Sequence, residues 1–149
     1  MTTPSAPPDQ PAAPRLMIVD DEPDVRAAMA RVLERAGFAV LLVASADEAI
    51  AALRTERVDL LITDMIMPGL NGADLIRVVK RDFPEIRVVA ISGGGNFWPQ
   101  GYKPEAITTS AYLAAAEKAG ADGAISKPFE ILELLEVVRS VIAKRDGAR

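Results

Sequence analysis

The sequence predicts an α/β protein, with a doubly wound parallel sheet of five strands in the order 2-1-3-4-5 flanked by five helices. Two observations lead to this prediction. Short apolar runs alternate with amphipathic stretches of helical periodicity along most of the chain. The apolar runs are also nearly continuous, as expected for strands that helices cover on both faces.

The apolar runs are interpreted as strands because large and β-branched apolar residues dominate them. The fifth run, GAIS, is short but occupies the position where a fifth strand is needed to complete the alternation. The predicted strands cover 15–19, 38–43, 58–63, 86–91 and 123–126.

The amphipathic stretches between the strands are interpreted as helices. The first helix has apolar residues at helical spacing and Gly37 as its stop signal. The core-facing positions of the first two helices are predicted to be Val25, Met29, Val32, Ala36, Ile50 and Leu53. The predicted helices cover 23–37, 46–56, 72–83, 109–120 and 130–145.

One domain accounts for most of the chain, which has the length of a single ordinary domain. Residues 1–14, rich in Pro and Ala, are predicted to be a disordered tail. The domain is predicted to cover 15–145, with a second tail at 146–149. Residues 93–107 show no periodicity and are interpreted as an unusually long strand-to-helix loop, since roughly 2–6 residues is typical there.

The composition excludes several functional classes. The chain has no cysteine and no histidine, which excludes thiol chemistry, imidazole bases and histidine-based zinc sites. A metal site must therefore use oxygen ligands, which favours magnesium, calcium or manganese. A net charge of −4 argues against nucleic-acid binding. The sequence lacks a membrane-spanning run and a signal peptide, so the expected location is the cytoplasm.

Polar residues follow the predicted strands at the edge where ligands bind in such sheets. Asp20 and Asp21 follow the first strand, Asp64 the third, Ser92 the fourth and Lys127 the fifth. Each has a simpler explanation when taken alone. An aspartate after the first strand can cap the next helix, Asp64 can begin a turn, Ser92 can be a turn residue, and Lys127 can be a solvated charge.

Together, these side chains suit phosphoryl transfer onto a carboxylate. Clustered carboxylates repel one another, and a divalent cation such as Mg²⁺ relieves this repulsion. A hydroxyl and an ammonium group are what the remaining oxygens of a phosphoryl group need. Asp64 is the predicted nucleophile.

Four motifs in this order resemble those of the CheY-like receiver domains of bacterial two-component response regulators, which have a flavodoxin-like fold. They are IVDDE (18–22), DMIMPGLNG (64–72), AIS (90–92) and ISKPF (125–129). Each motif is weak alone, but the set is highly specific, and the resemblance covers about 15–145.

The resemblance implies a role for each site residue. Asp64 is the expected phosphoacceptor, and the donor is a histidine kinase or a histidine phosphotransfer protein. Asp21 and Asp64 are expected to bind Mg²⁺ directly, or Mn²⁺ in its place, with Asp20 acting mainly through water. The remaining roles fall to the Ile66 backbone carbonyl as a metal ligand, Ser92 and Lys127 as phosphoryl-binding groups, and Pro128 after a cis peptide bond.

Two departures from the family pattern concern the switch. The aromatic residue that family members carry three positions before the lysine is here Ala124. The long loop at 93–107 is an insertion relative to typical members. We expect Gly93, Gly94 and Gly95 to act as its hinge and Trp98 to move in place of the missing aromatic. The alternative is that the loop aromatics only pack the loop onto the domain.

Two other functional interpretations do not fit these residues. GNFWPQGYK (95–103) is not a nucleotide-binding P-loop, because its glycine spacing is wrong and Pro104 replaces the required Ser or Thr. An aspartate-nucleophile phosphatase needs a second aspartate where Ile66 stands. We therefore expect a phosphoacceptor signalling protein, not an enzyme acting on other substrates. The remaining alternative is a receiver fold used for protein interaction or dimerisation without phosphorylation.

The last helix is predicted to contribute a partner surface. Its apolar residues cover more than one core-facing stripe: Ile131, Leu132, Leu134, Leu135, Val138, Val141 and Ile142. In the family, the face formed by the fourth helix, fifth strand and fifth helix pairs with a second copy or binds an output partner. Since no output domain follows, we expect a stand-alone regulator with an unidentified downstream protein partner and without membrane contacts.

Overall fold

A computed structural model describes residues 13–65, 71–92, 114–126 and 129–147. Within these residues the strands form one parallel sheet in the order β2-β1-β3-β4-β5. The predicted fold class and strand order are therefore confirmed. The strands are β1 (Arg15–Val19), β2 (Ala39–Val43), β3 (Leu60–Asp64), β4 (Arg87–Ser92) and β5 (Gly123–Ser126).

Helices connect the strands and cover both faces of the sheet. A fourth helix is described over residues 114–119. The helices are α1 (Pro23–Arg35), α2 (Ala46–Leu53), α3 (Gly72–Asp82), α4 (114–119 in the described part) and α5 (Ile131–Gly147).

The core consists of two apolar layers, one on each face of the sheet. The layer beneath α2, α3 and α4 includes Leu75, Ile76 and Val79 of α3, all fully buried. The layer beneath α1 and α5 includes Leu33 and Leu134. Both faces of β1 and β3 are covered, which explains why these strands read as unbroken apolar runs.

The buried stripe of α1 differs from the predicted one. Met29, Ala30 and Leu33 are buried, whereas Val25, Val32 and Ala36 are only half-buried. Helical spacing alone allows two overlapping apolar stripes on this alanine-rich helix, and packing against the sheet selects the one that contains Leu33. In α2, Leu53 is buried as predicted, while Ile50 is half-buried.

No helix in the described part of the chain is long and apolar enough to cross a membrane. The predicted tails and the predicted loop insertion at 93–107 lie mostly or wholly outside the described residues. These boundaries stay predictions.

Candidate functional site

The site lies at the carboxyl-terminal edge of the sheet, where β1 and β3 end side by side. Val19 is in register with Thr63, so the residues that follow them meet at this edge. One carboxylate oxygen from each of Asp20, Asp21 and Asp64 lies within 4.8 Å of the other two. The structure thus brings together the three acidic residues that the sequence singled out.

Burial distinguishes the three carboxylates. Asp20 is fully buried and Asp64 is 2% exposed, and they are two of the three buried polar or charged residues in the described part of the chain. Asp21 is half-buried. Within the described residues, Asp21 Oδ1 is buried and has no hydrogen-bond partner. Burying a carboxylate oxygen without a hydrogen-bond partner costs free energy unless a ligand binds that oxygen.

The turn after β1 is fixed by bonds to Asp20. Its Oδ1 accepts a hydrogen bond from the backbone N–H of Glu22 at 2.9 Å. Its carbonyl oxygen accepts one from Arg26 Nη1 of α1 at 2.6 Å. Arg26 has no role in the sequence-based prediction, since nothing in its spacing indicates that its side chain turns back to this carbonyl.

The structure argues against the simpler explanation of Asp20 and Asp21 as helix caps. The N-cap of α1 is Glu22, and no side-chain hydrogen bond caps this helix. Pro23 occupies the first helical turn, where a missing N–H costs nothing. Neither aspartate therefore serves as a side-chain cap of α1.

Asp64 is the last residue of β3 and has a rigid surrounding backbone. It is in register with Ile91 of β4, and Met65 N donates to the Ile91 carbonyl at 2.9 Å. The buried hydroxyl of Thr63 donates to the Asp64 carbonyl at 3.0 Å. The end of β3 is thus hydrogen-bonded both to β4 and to the Thr63 side chain of the same strand.

The other predicted site residues are described only in part. The backbone of Ser92 ends β4 in register with Ser126, the residue before Lys127. Ala124 lies in β5, half-buried and in register with Ala90. Outside the described residues lie Ile66, Lys127, Pro128, Gly93, Gly94, Gly95 and Trp98. Their roles stay predictions.

The carboxylate cluster fits a hard divalent cation. Oxygen atoms bound to one octahedral Mg²⁺ at about 2.0–2.1 Å are separated by about 2.9–4.2 Å. The three carboxylate oxygens, within 4.8 Å of one another, leave room for one such ion. Asp20, Asp21 and Asp64 could hold Mg²⁺ or Mn²⁺ with little rearrangement, and the chain has neither His nor Cys to offer a softer metal.

Comparison with known proteins agrees with this geometry. Residues 16–139 match the response regulator receiver domain family. The chain is 35% identical over 129 residues to the nitrogen assimilation regulatory protein NtrX of Azorhizobium caulinodans, covering 85% of this chain and 26% of that protein. It is 34% identical over 134 residues to the C4-dicarboxylate transport transcriptional regulatory protein DctD of Rhizobium meliloti, with coverages of 90% and 26%.

A solved structure shows the same similarity. A response regulator from Thermotoga maritima superposes with a TM-score of 0.71 at 30% identity, covering 88% of this chain and 98% of that one. By contrast, the chain spans about a quarter of the length of the two curated relatives. The shared part is therefore one domain of those longer proteins.

Proposed function

Because the chain belongs to the family of response regulator receiver domains, we propose that Asp64 accepts a phosphoryl group in a Mg²⁺-dependent signalling reaction. The observation that carries this proposal is the cluster of Asp20, Asp21 and Asp64 at the ends of β1 and β3. Asp20 and Asp64 are at most 2% exposed. Holding these clustered charges in the protein interior without a cation would cost free energy of folding.

The proposed reaction transfers a phosphoryl group from a phosphohistidine to Asp64. An Asp64 carboxylate oxygen attacks phosphorus, a P–O bond forms, and the P–N bond of the donor breaks. The bond electrons go to the leaving imidazole nitrogen, which takes up a proton. Hydrolysis restores Asp64: water attacks phosphorus, the P–O bond to Asp64 breaks with its electrons returning to the carboxylate, and inorganic phosphate leaves with the protons of the water. Beyond this cycle we propose no enzymatic activity for the chain.

In the proposed mechanism, the acidic residues hold the cation and Asp64 provides the nucleophile. When bound, Mg²⁺ neutralises charge on the carboxylates and on the phosphoryl oxygens. Asp21 and Asp64 would hold the ion directly, Asp20 would act mainly through water, and the Ile66 carbonyl would complete the protein ligands. Burial of Asp20 and Asp64 restricts water at the reacting carboxylate.

Ser92 and Lys127 are proposed to bind the phosphoryl oxygens. The register of Ser92 with Ser126 supports this, because it places the backbone at the end of β4 beside the residue that precedes Lys127. With Ala124 at the switch position, the readout is assigned to the loop: Gly93, Gly94 and Gly95 form the hinge and Trp98 moves. Trp98 fluorescence that stays unchanged on beryllofluoride binding would contradict the moving loop.

The proposed partners are proteins. A histidine kinase or phosphotransfer protein supplies the phosphoryl group, and the face formed by α4, β5 and α5 binds a downstream protein or a second copy of the chain. Leu132 of α5 supports such a contact, since it is an apolar side chain that is 68% exposed. The chain is proposed to act in the cytoplasm without binding nucleic acid, and its net charge of −4 supports the second point because nucleic-acid-binding domains usually carry a basic face.

Labelling with acetyl phosphate tests the acceptor directly. We expect purified protein to gain one phosphoryl group by mass spectrometry when Mg²⁺ is present and none when it is chelated. Asp64→Asn should abolish the label. Asp59→Asn is the matched control, because Asp59 lies just before the same strand at the opposite edge and accepts a hydrogen bond from Arg15 N.

The result also decides between the two functional interpretations. Label that depends on Asp64 but not on Asp59 supports the phosphoacceptor. A folded wild type that acquires no Asp64-dependent label would instead favour an interaction or dimerisation module that works without phosphorylation.

A further inference from the structure

The first residue of α3, Gly72, touches the backbone of the proposed phosphoacceptor. A Cβ atom at Gly72 would lie 2.3 Å from the Asp64 carbonyl oxygen and 2.6 Å from Met65 Cα. Both are backbone atoms, so no side-chain rotation can relieve the contact. Gly72 is not among the described glycines with positive φ. Space, rather than backbone conformation, therefore requires glycine here.

Both partners in this contact are firmly held. On the helix side, Asn71 Oδ1 caps α3 by accepting from Asp74 N at 2.9 Å, and the buried residues Leu75 and Ile76 anchor the first turns. On the strand side, β3 pairs with β1 and with β4. A side chain at position 72 would thus push two rigid elements apart.

Three hydrogen bonds hold the peptides next to Asp64 from other directions. Thr63 Oγ1 donates to the Asp64 carbonyl at 3.0 Å. Gly72 N donates to the Met65 carbonyl at 3.1 Å, and Met65 N donates to the Ile91 carbonyl at 2.9 Å. The glycine contact and these bonds surround the main chain that carries the Asp64 carboxylate.

We propose that Gly72 is a positioning residue for Asp64, and that the Thr63 hydroxyl supports the same main chain. The inference rests on the proposed role of Asp64 as metal ligand and phosphoacceptor. The physical reason is that metal-binding and reacting groups must be held within about 0.5 Å of their productive geometry to work. A Cβ at position 72 has to move from 2.3 Å to at least 3.0 Å from the carbonyl oxygen, and Asp64 shares in that shift.

The test compares Gly72→Ala with Gly123→Ala in the full chain. Gly123 begins β5 at the opposite edge of the sheet, and a Cβ there would lie 2.8 Å from Val141 Cγ2 and 3.3 Å from Val137 Cγ1. Both variants introduce a clash, but the second one is remote from the carboxylates. It therefore controls for loss of stability that has no effect on the site.

Three quantities are measured for each variant: the rate of acetyl phosphate labelling, the Mg²⁺ dissociation constant by calorimetry, and the urea midpoint. A misplacement of about 1 Å can cost on the order of a hundredfold in rate, so we expect labelling by Gly72→Ala to slow by about tenfold or more. Its Mg²⁺ affinity should fall as well. Gly123→Ala should label and bind Mg²⁺ within about twofold of wild type, even with a lowered urea midpoint.

Thr63→Val gives a milder test that keeps the side-chain volume. Loss of the hydroxyl should slow labelling and weaken Mg²⁺ binding a few-fold, less than Gly72→Ala. Wild-type labelling and wild-type Mg²⁺ affinity in both Gly72→Ala and Thr63→Val would overturn the inference. So would an equal loss in Gly123→Ala and Gly72→Ala, because the effect would then follow stability alone.

The readouts separate this inference from the proposed function. If the wild type binds Mg²⁺ but takes no label, the proposed phosphoacceptor fails, while the Mg²⁺ affinities of Gly72→Ala and Gly123→Ala still decide the positioning role. If Gly72→Ala binds Mg²⁺ as the wild type does while Asp64-dependent labelling is intact in both, the positioning role fails and the phosphoacceptor stands.

Discussion

Aspartates at the two edges of the sheet are held in different ways. At the edge where the strands begin, Asp122 pairs with a positively charged side chain of the protein, since Lys80 Nζ donates to its Oδ2 at 2.6 Å. Val88 N donates to the same oxygen at 2.9 Å, and Arg87 Nη1 lies 3.5 Å from Oδ1. At the edge where the strands end, Asp20, Asp21 and Asp64 lie against one another instead.

The difference shows what each edge is built for. Two unit charges about 5 Å apart repel by roughly 3 kcal/mol at an effective dielectric constant of 20. The fixed partners of Asp122 offset its charge permanently and join α3, β4 and β5. The clustered carboxylates gather charge of one sign, an arrangement that a bound cation stabilises. The first edge is structural, and the second is suited to a ligand.

Removing the carboxylate of Asp122 should have the largest effect on stability. Asp122→Ala leaves the Lys80 ammonium and the Val88 N–H without this acceptor, and both are partly buried. We expect the free energy of unfolding to fall by about 2–4 kcal/mol. Urea unfolding measures this, and Mg²⁺-dependent labelling of the folded protein should persist.

Asp122→Asn is the matched control, since it keeps an oxygen that can accept from Val88 N. Its loss of stability should be smaller than that of Asp122→Ala. A fall in Mg²⁺ affinity in either variant would break the separation of the two edges.

Removing one carboxylate from the cluster should weaken Mg²⁺ binding without lowering the stability of the metal-free protein. Asp21→Asn should leave the protein at least as stable without Mg²⁺, because one of three like charges is gone. Mg²⁺ at about 100 times its dissociation constant stabilises the wild type by about 2.7 kcal/mol, and a tenfold weaker site gains only about 1.4 kcal/mol. Urea unfolding with and without Mg²⁺ gives both values.

Asp21 suits this test better than Asp20, whose Oδ1 also accepts a bond from Glu22 N. An Asp21→Asn variant that loses stability without Mg²⁺, yet gains as much as the wild type when Mg²⁺ is added, would contradict a metal-binding role for the cluster.

Most of the fold could be predicted from the sequence. The predicted strands at 15–19 and 123–126 agree with β1 and β5 to the residue, and the other strands agree within two residues at each end. The βα alternation indicated a parallel sheet, and the doubly wound order 2-1-3-4-5 that suits five such strands agrees with the observed order. The core face of α1 was only partly predicted, because helical spacing allows overlapping stripes that contain Val32 or Leu33, and only tertiary packing chooses between them.

The site was predictable where it consists of residues that follow strands. Asp20, Asp21 and Asp64 are adjacent because parallel strands end at one edge, and in the predicted doubly wound order β1 and β3 are neighbours. The contacts of Gly72, Thr63 and Arg26 were not predicted. The Gly72 contact depends on how closely the backbones of α3 and β3 approach, and the Thr63 and Arg26 bonds depend on side-chain conformation. No spacing along the chain encodes either.

Replacing Lys80 should have a smaller effect than replacing Asp122. In Lys80→Met the carboxylate keeps Val88 N and Arg87, and the methionine retains an apolar stem. We expect a loss of about 1 kcal/mol, because a well-packed apolar residue partly replaces an ion pair. Urea unfolding of both single variants and of the double variant gives the coupling energy between Lys80 and Asp122. A loss as large as that of Asp122→Ala would show that the ammonium, not the carboxylate, holds this edge together.

The exposed pair of Arg81 and Asp82, near the same edge, should have the smallest effect. The hydrogen bond from Arg81 holds the pKa of Asp82 below its ordinary value of 3.8, although both side chains are exposed to solvent. Stability from a lowered carboxyl pKa is present above the ordinary value and is lost as the pH falls through the lower one. Asp82→Asn should therefore match the wild type in urea midpoint at pH 7 within error, since exposed pairs contribute little.

Any difference between Asp82→Asn and the wild type should change only below about pH 4, where the carboxyl of the wild type takes up its proton. It should also vanish in about 1 M salt, where the Debye length is about 3 Å. Urea midpoints from pH 7 to 3 at two salt concentrations check both points. A large difference at pH 7 that survives the salt would mean that exposed aspartates stabilise this edge as Asp122 does, and partial burial would no longer explain the contrast between the pairs.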